Sequence, residues 1–174
     1  MSGYAATQPF YRSSSGVRVE LVPPTTHGWP DDKRMMGNCL FCSVIQRVMP
    51  GSFVYEDDRA LAFLDMYPVN SGHTLVVPKT HMADLRDCPP DLAAHLFAVS
   101  TRLAPAVVAA VEADGFNVWT ANGRAAGQTV FHLHLHILPR FTTDAFGFRF
   151  PDDYPREAER AELDAVAARI ISQV

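Results

Sequence analysis

Hydrophobic and polar positions fall into regular order from Asn38 onward. Phe53-Val54-Tyr55-Glu56 and Ala60-Leu61-Ala62-Phe63-Leu64-Asp65 are short runs of strand-forming residues joined by the polar turn Asp57-Asp58-Arg59, which predicts a hairpin. Thr74-Leu75-Val76-Val77, bounded by Gly72 and Pro78, predicts a third strand. Residues 116–120 and 130–138 predict two more, separated by a glycine-bearing loop. Ahead of the hairpin, residues 43–48 read as a short helix stopped by Pro50-Gly51. Over residues 91–112 the apolar spacing changes to three and four. Leu92, Leu96, Val99, Leu103, Val107 and Val111 then share one face of a long helix, with Gly115 as its stop and Pro105 as an internal bend. A last amphipathic helix from about Pro155 carries Leu163, Val166, Ile170 and Val174 on one face. Strands precede and follow the long helix without βαβ alternation. The pattern therefore predicts an α+β domain with a mainly antiparallel five-stranded sheet, one long helix and a C-terminal helix.

Residues 1–36 are rich in Ser, Thr, Gly and Pro and keep no period for long, so they read as a flexible tail with one short strand over residues 17–22. The expected organisation is a tail over 1–36, one domain over 37–150 and a helical extension over 151–174. At 174 residues, 48% hydrophobic and 20% charged, the chain can bury a core without disulfide staples. A net charge of -4 and a pI near 5.9 argue against a surface built to wrap nucleic acid. No uninterrupted apolar run reaches the roughly 18 to 20 residues of a membrane span, and no secretory signal pattern opens the chain. Cys39, Cys42 and Cys88 are an odd set that does not resemble a secreted disulfide framework. The expectation is a soluble, cytoplasmic protein.

The segment Phe131-His132-Leu133-His134-Leu135-His136 carries the chemistry. Alternate residues of a strand share a face, so the three imidazoles should project together and Leu133, Leu135 and Ile137 the other way. Histidines two apart would lie roughly 6.6 Å from one another, a spacing that can grip a phosphoryl group. Imidazole is largely neutral and nucleophilic near pH 7, so one ring can attack phosphorus while a neighbour holds or gives a proton. The loop Gly123 to Thr129 offers backbone amides, the Gln128 amide and the Thr129 hydroxyl to the charge that develops. A half-buried strand with polar residues outward, or a metal site made by all three histidines, would give the same pattern. Cys39-Leu40-Phe41-Cys42 has the spacing for two sulfurs on one tetrahedral metal, but supplies only half of a closed site. A redox dithiol and two core cysteines are its other readings. The alternating Phe146, Phe148 and Phe150 read as a short strand or lid, or as packing between subunits. His27, His73, His95 and Cys88 attract no role, and Arg140 reads either as a phosphate contact or as a solvated strand end.

Residues 127–140, Gly-Gln-Thr-Val-Phe-His-Leu-His-Leu-His-Ile-Leu-Pro-Arg, closely resemble the signature of the histidine-triad (HIT) superfamily. So do Val54 to Asp58, Ala62 to Asp65 and Gly72 to His81, in order, from about Asn38 to Arg140. The resemblance implies a HIT-like fold and a homodimeric hydrolase or transferase acting at the α-phosphate of purine nucleotides. The activity implied is that of a nucleoside phosphoramidase or nucleotidyl hydrolase, with a dinucleoside polyphosphate hydrolase or phosphorylase as the alternative. A nucleotide-sensing module with incidental catalysis is the reading from another class. The resemblance implies His134 as nucleophile, held by a backbone carbonyl through its other ring nitrogen, with His136 and His132 completing the catalytic set. It also implies Gln128 and Thr129 at phosphate, Asp65 at ribose, Phe41, Val44, Phe63 and Met66 at the base, and Asn122 beside the nucleotide. Ala121 stands where family members often have Asn or Gln, which removes one polar contact. For the cysteine pair, the resemblance to zinc-containing members and to galactose-1-phosphate uridylyltransferases supplies His81 and His132 as partners. One structural zinc on Cys39, Cys42, His81 and His132 is then expected.

Overall fold

The computed structural model describes residues 11–12, 18–19, 39–147, 150–152 and 154–174. The chain divides into two compact units, Met1–Asn38 and Cys39–Val174. In the first, β1 (Tyr11–Arg12) and β2 (Arg18–Val19) pair antiparallel, with Tyr11 opposite Val19. The rest of the strand expected over residues 17–22, like His27, lies outside the described residues.

The second unit is α+β. Its elements run α1 (Leu40–Ile45), β3 (Phe53–Glu56), β4 (Ala60–Leu64), β5 (Thr74–Pro78), α2 (Pro90–Val111), β6 (Gly115–Trp119), β7 (Leu135–Arg140) and α3 (Arg160–Ile171). The five strands form an antiparallel sheet in the order β3-β4-β5-β7-β6. Asp57 closes the β3–β4 turn by accepting the amides of Arg59 and Ala60 at 2.8 and 2.7 Å.

Strand alternation sends two sets of side chains to two faces. Ala60, Ala62, Val76, Leu135 and Ile137 join Leu92, Leu96, Val99 and Ala104 of α2 in one core cluster, to which Leu133 adds from just before β7. On the other face Leu61, Phe63, Leu75 and Val77 pack with Phe41 and Val44 of α1. The row Phe63, Leu75, His136 and Trp119 follows directly from the pairing of β4, β5, β7 and β6. An irregularity between Phe53 and Tyr55 adds one residue to β3, so Phe53 pairs with Phe63 while Tyr55 crosses to the α2 side.

Four expectations shift. The first helix occupies Leu40–Ile45, ahead of the 43–48 expected, and the last begins at Arg160, not near Pro155. α2 is long and apolar enough to cross a membrane by length and composition, contrary to the reading of the sequence; here one face of it packs on the sheet. Residues 130–134 precede the ladder of β7 and do not extend it, because their backbone bonds elsewhere: the Leu133 amide donates to the Met82 carbonyl at 2.7 Å, and Gln128 donates to the Val130 carbonyl.

Candidate active site and metal-ligand cluster

The three histidines keep the expected alternation against Leu133, Leu135 and Ile137, but only His136 sits in regular strand. His134 is buried, and its Nδ1 lies 2.7 Å from the backbone carbonyl of His132. A carbonyl only accepts, so Nδ1 carries the hydrogen and Nε2 of the neutral ring keeps its lone pair. The ring stands edge-on to Phe41 at 5.2 Å and lies 4.7 Å from the His136 ring, closer than an ideal strand spacing allows. Burial lowers the His134 pKa, opposed by its bond to the His132 carbonyl and by the charge of Asp65. Burial, aided by the fields of His134 and His73, pushes His136 down to about 3. Both rings are therefore neutral near pH 7.

His132 does different work. It is fully buried, and its Nε2 donates to the Pro78 carbonyl at 2.9 Å, which leaves the Nδ1 lone pair facing Cys39 Sγ at 3.5 Å and Cys42 Sγ at 3.6 Å. Both ring nitrogens are thereby spoken for. What it offers His134 is its backbone carbonyl.

Cys39, Cys42, His81 and His132 place four candidate ligand atoms within 4.8 Å of one another. His81 Nδ1 lies 3.4 Å from Cys42 Sγ. In a tetrahedral zinc site with ordinary bond lengths, a sulfur and a nitrogen ligand are about 3.5–3.6 Å apart, so the three S···N distances match its edges. Burial and the adjacent Cys39 thiol push the Cys42 thiol up to about 12. The Cys42 thiol therefore resists ionising unless a cation shares the site, and the donor set fits a divalent soft metal with no open position.

The residues expected to hold a nucleotide divide. Phe41, Val44 and Phe63 come together in one buried cluster beneath His134, with Phe41 edge-on to Phe63 at 5.5 Å. Met66 is 60% exposed and stands outside that cluster. Asp65 accepts the Tyr67 amide at 2.9 Å and faces His73. Thr129 is exposed on the loop. Gln128, in contrast, is buried and spent: it accepts the Gly123 amide at 2.7 Å and donates to the carbonyls of Ala83 and Val130 at 2.6 and 3.1 Å. Asn122 accepts the Leu85 amide at 2.9 Å. These two side chains fix the loop. Arg140 binds Asp144, Asn117 and the Phe146 carbonyl, so it clamps the chain after β7. Phe146 stacks on Trp119 at 5.8 Å, Phe150 on Tyr154 at 4.4 Å, and Phe148 lies outside the described residues.

Reasoning from the sequence missed His73 and Trp119. His73 is buried, with Nε2 2.9 Å from His136 Nδ1 and Nδ1 3.3 Å from Asp65 Oδ2. Trp119 stacks on His136 at 4.5 Å with planes 8° apart. The available signal was strand register: Leu75 pairs with His136, so His73, two residues earlier, falls on the same face.

A buried neutral histidine with one free nitrogen beside a second imidazole, on the open face of a five-stranded antiparallel sheet, defines a histidine-triad protein. The HIT domain family model matches residues 46–143, and the chain belongs to the HIT family. It is 42% identical to a HIT family protein from Bacillus anthracis, whose crystal structure superposes with a TM-score of 0.74 over 79% of this chain and 98% of that one. A zinc-bound histidine triad family protein from Mycobacterium smegmatis is 41% identical, with a TM-score of 0.60 over 78% of this chain and 97% of that one. Adenylylsulfatase HINT3 from Arabidopsis thaliana is 38% identical over 117 residues, covering 67% of this chain and 59% of that protein.

Proposed function

We propose that this protein is a nucleotide hydrolase or transferase of the phosphoramidase kind, acting at the α-phosphorus of purine nucleotides through a nucleotidyl-histidine intermediate. The observation that carries the reading is the 2.7 Å bond from His134 Nδ1 to the His132 carbonyl, which holds a neutral ring with its other nitrogen available for attack. His136 is the group that protonates the departing amine, acyl or phosphate oxygen and then takes a proton from the attacking water. Asp65 accepts from the ribose hydroxyls, and the apolar cluster of Phe41, Val44 and Phe63 receives the base. Thr129 and backbone amides of its loop hold phosphate. The adenylylsulfatase relative supports an adenylate with an acidic leaving group as one substrate class. Dinucleoside polyphosphates are the competing class, and a pure nucleotide sensor would have no use for so prepared a nucleophile.

The same proposal includes one zinc per subunit on Cys39, Cys42, His81 and His132, supported by the matching S···N distances and the zinc-bound mycobacterial relative. With four protein ligands it would tie α1 and the segment after β5 to the start of the triad and leave Lewis-acid chemistry aside. A cytoplasmic homodimer is also proposed; the half-exposed edge strand β6, with Phe116 outward, and the uncovered Leu163, Val166 and Ile170 of α3 support self-association.

The test is His134→Ala, which should abolish turnover of an AMP-lysine-type phosphoramidate and of diadenosine polyphosphates alike while AMP still binds. Retained turnover contradicts the assignment, and the ratio of the two wild-type rates ranks the substrate classes.

A further inference from the structure

Trp119 lies flat against a triad ring. It closes β6 directly opposite His136, so the pairing of β6 with β7 sets the two side chains beside each other. Their ring centres are 4.5 Å apart and their planes 8° from parallel. The other rings around His136 meet it differently: His134 stands edge-on at 4.7 Å and 63°, and His73 lies 5.2 Å away at 24°. Phe146 stacks on Trp119 in turn, at 5.8 Å and 24°. Phe146 is itself held, because its amide donates to Asp144 at 3.1 Å, its carbonyl accepts from Arg140, and the Arg140 guanidinium lies 5.1 Å from its ring centre. Two bonds of 2.9 and 2.8 Å join Arg140 to Asp144. The indole is thus braced by a pinned segment of chain on its way to His136.

We infer that Trp119 is a positioning residue for His136: its indole fixes the plane of the imidazole and stabilises the imidazolium formed when His136 takes up a proton. The inference rests on the functional reading above, in which His136 exchanges a proton with the leaving group and with water, and adds a residue to it. The χ2 torsion of a histidine is broad, so the side chain alone does not hold the ring edge in line with the departing atom. A parallel indole at 4.5 Å blocks that rotation, since turning the imidazole on edge drives its atoms into the indole face. A general acid must sit within hydrogen-bond reach of the atom it serves before its acidity counts. The indole face also attracts a cation through its quadrupole, and the attraction grows where water is excluded. Burial holds the free His136 down to about 3, so stabilisation of the cation is what this ring lacks. In the first half-reaction His134 Nε2 bonds to phosphorus as the bond to the leaving atom breaks. The leaving atom keeps that electron pair and takes a proton from His136, which ends neutral against the indole. In the second half, water oxygen bonds to phosphorus, the N–P pair returns to His134, and a water proton passes to His136. The proton gained there serves the leaving group of the next turnover, so the charge of the ring alternates while its plane does not.

The test sets Trp119→Leu, which keeps apolar bulk and removes the π face, beside Trp119→Phe, which keeps a face. Leaving-group release in a single turnover at saturation is measured for two adenosine 5′-phosphoryl substrates. One carries an alkylamine, which must be protonated to leave, and the other p-nitrophenolate, which need not be. Trp119→Leu should slow release of the amine by about 10- to 30-fold, the worth of a dehydrated cation–indole contact, and of nitrophenolate by less than about 3-fold. Trp119→Phe should recover at least about a third of the wild-type rate on the amine. A merely structural wall would slow both substrates alike and be replaced as well by Leu as by Phe. Equal losses on the two substrates, no loss on the amine, or a Phe variant no better than Leu would overturn the inference. If Trp119→Leu lacks near-UV ellipticity and fails to fold, Phe146→Ala, which unbraces the indole, must show the same selective loss on the amine; equal losses there overturn it too. A wild-type protein that cleaves neither substrate would instead defeat the underlying functional reading, and this inference with it.

Discussion

His136 spends its time in the folded protein as a neutral ring, held down to about 3 by burial and by the fields of His134 and His73, whereas an exposed histidine titrates near 6.5. Between those values the unfolded chain binds more protons than the folded one, so stability must fall as pH drops through 6.5 and keep falling toward 3. His73, lowered by burial as well, acts in the same direction. The unfolding free energy from denaturant titration should therefore decrease from pH 7 to pH 5 by an amount on the order of 1–2 kcal/mol attributable to His136. His136→Asn should remove that part of the difference; an identical pH dependence in the variant would contradict the burial argument. His73 escaped notice in the sequence because a lone histidine before a strand is ordinarily unremarkable, and only the register of β5 on β7 brings it to His136. Gln128, Asn122 and Arg140 show a second demand on polar side chains. Polar residues near a phosphate-binding signature read as ligands, yet buried backbone amides and carbonyls must also be satisfied, and these side chains satisfy them.

Among the elements, α2 and the β4–β5 connection carry sharp expectations. Leu96 is fully buried between α2 and the sheet, so Leu96→Ala should cost about 2–5 kcal/mol by thermal or denaturant unfolding. Gly72 holds φ at +82°, and a Cβ there would meet Val111 Cγ1 at 2.9 Å and Pro139 Cγ at 3.2 Å. Gly72→Ala should thus lose at least about 1–2 kcal/mol from the left-handed backbone alone; a variant as stable as the parent would show that this loop does not anchor α2 to β7. Most strands were legible because alternating apolar residues must bury one face, and the long helix because its stripe repeats every three to four residues. The triad segment was harder. Its His/Leu alternation is that of a strand, yet the Leu133 amide bonds to the Met82 carbonyl and the Val130 carbonyl to Gln128, a long-range choice that no local pattern announces. That departure lets His132 turn toward the cysteines while His134 and His136 face the site.

On the scale of the whole molecule, the cysteine pair and His81 and His132 farther along the chain meet only through folding. Metal analysis should find about one zinc per chain, lost in Cys39→Ser together with thermal stability, as expected when a structural site contributes to folding free energy. A metal-free wild type of equal stability would remove zinc from the account. Light scattering during size exclusion should report twice the chain mass, and a monomer would leave the apolar face of α3 to another role. The most direct test of the whole is a covalent intermediate. Wild-type protein mixed briefly with an adenylate bearing a good leaving group, quenched in alkali to spare the N–P bond, should gain the mass of one nucleotidyl group. Peptide mapping should place it on His134, with no gain in His134→Ala. Rapid turnover with no such adduct, or an adduct on another residue, would contradict the central claim.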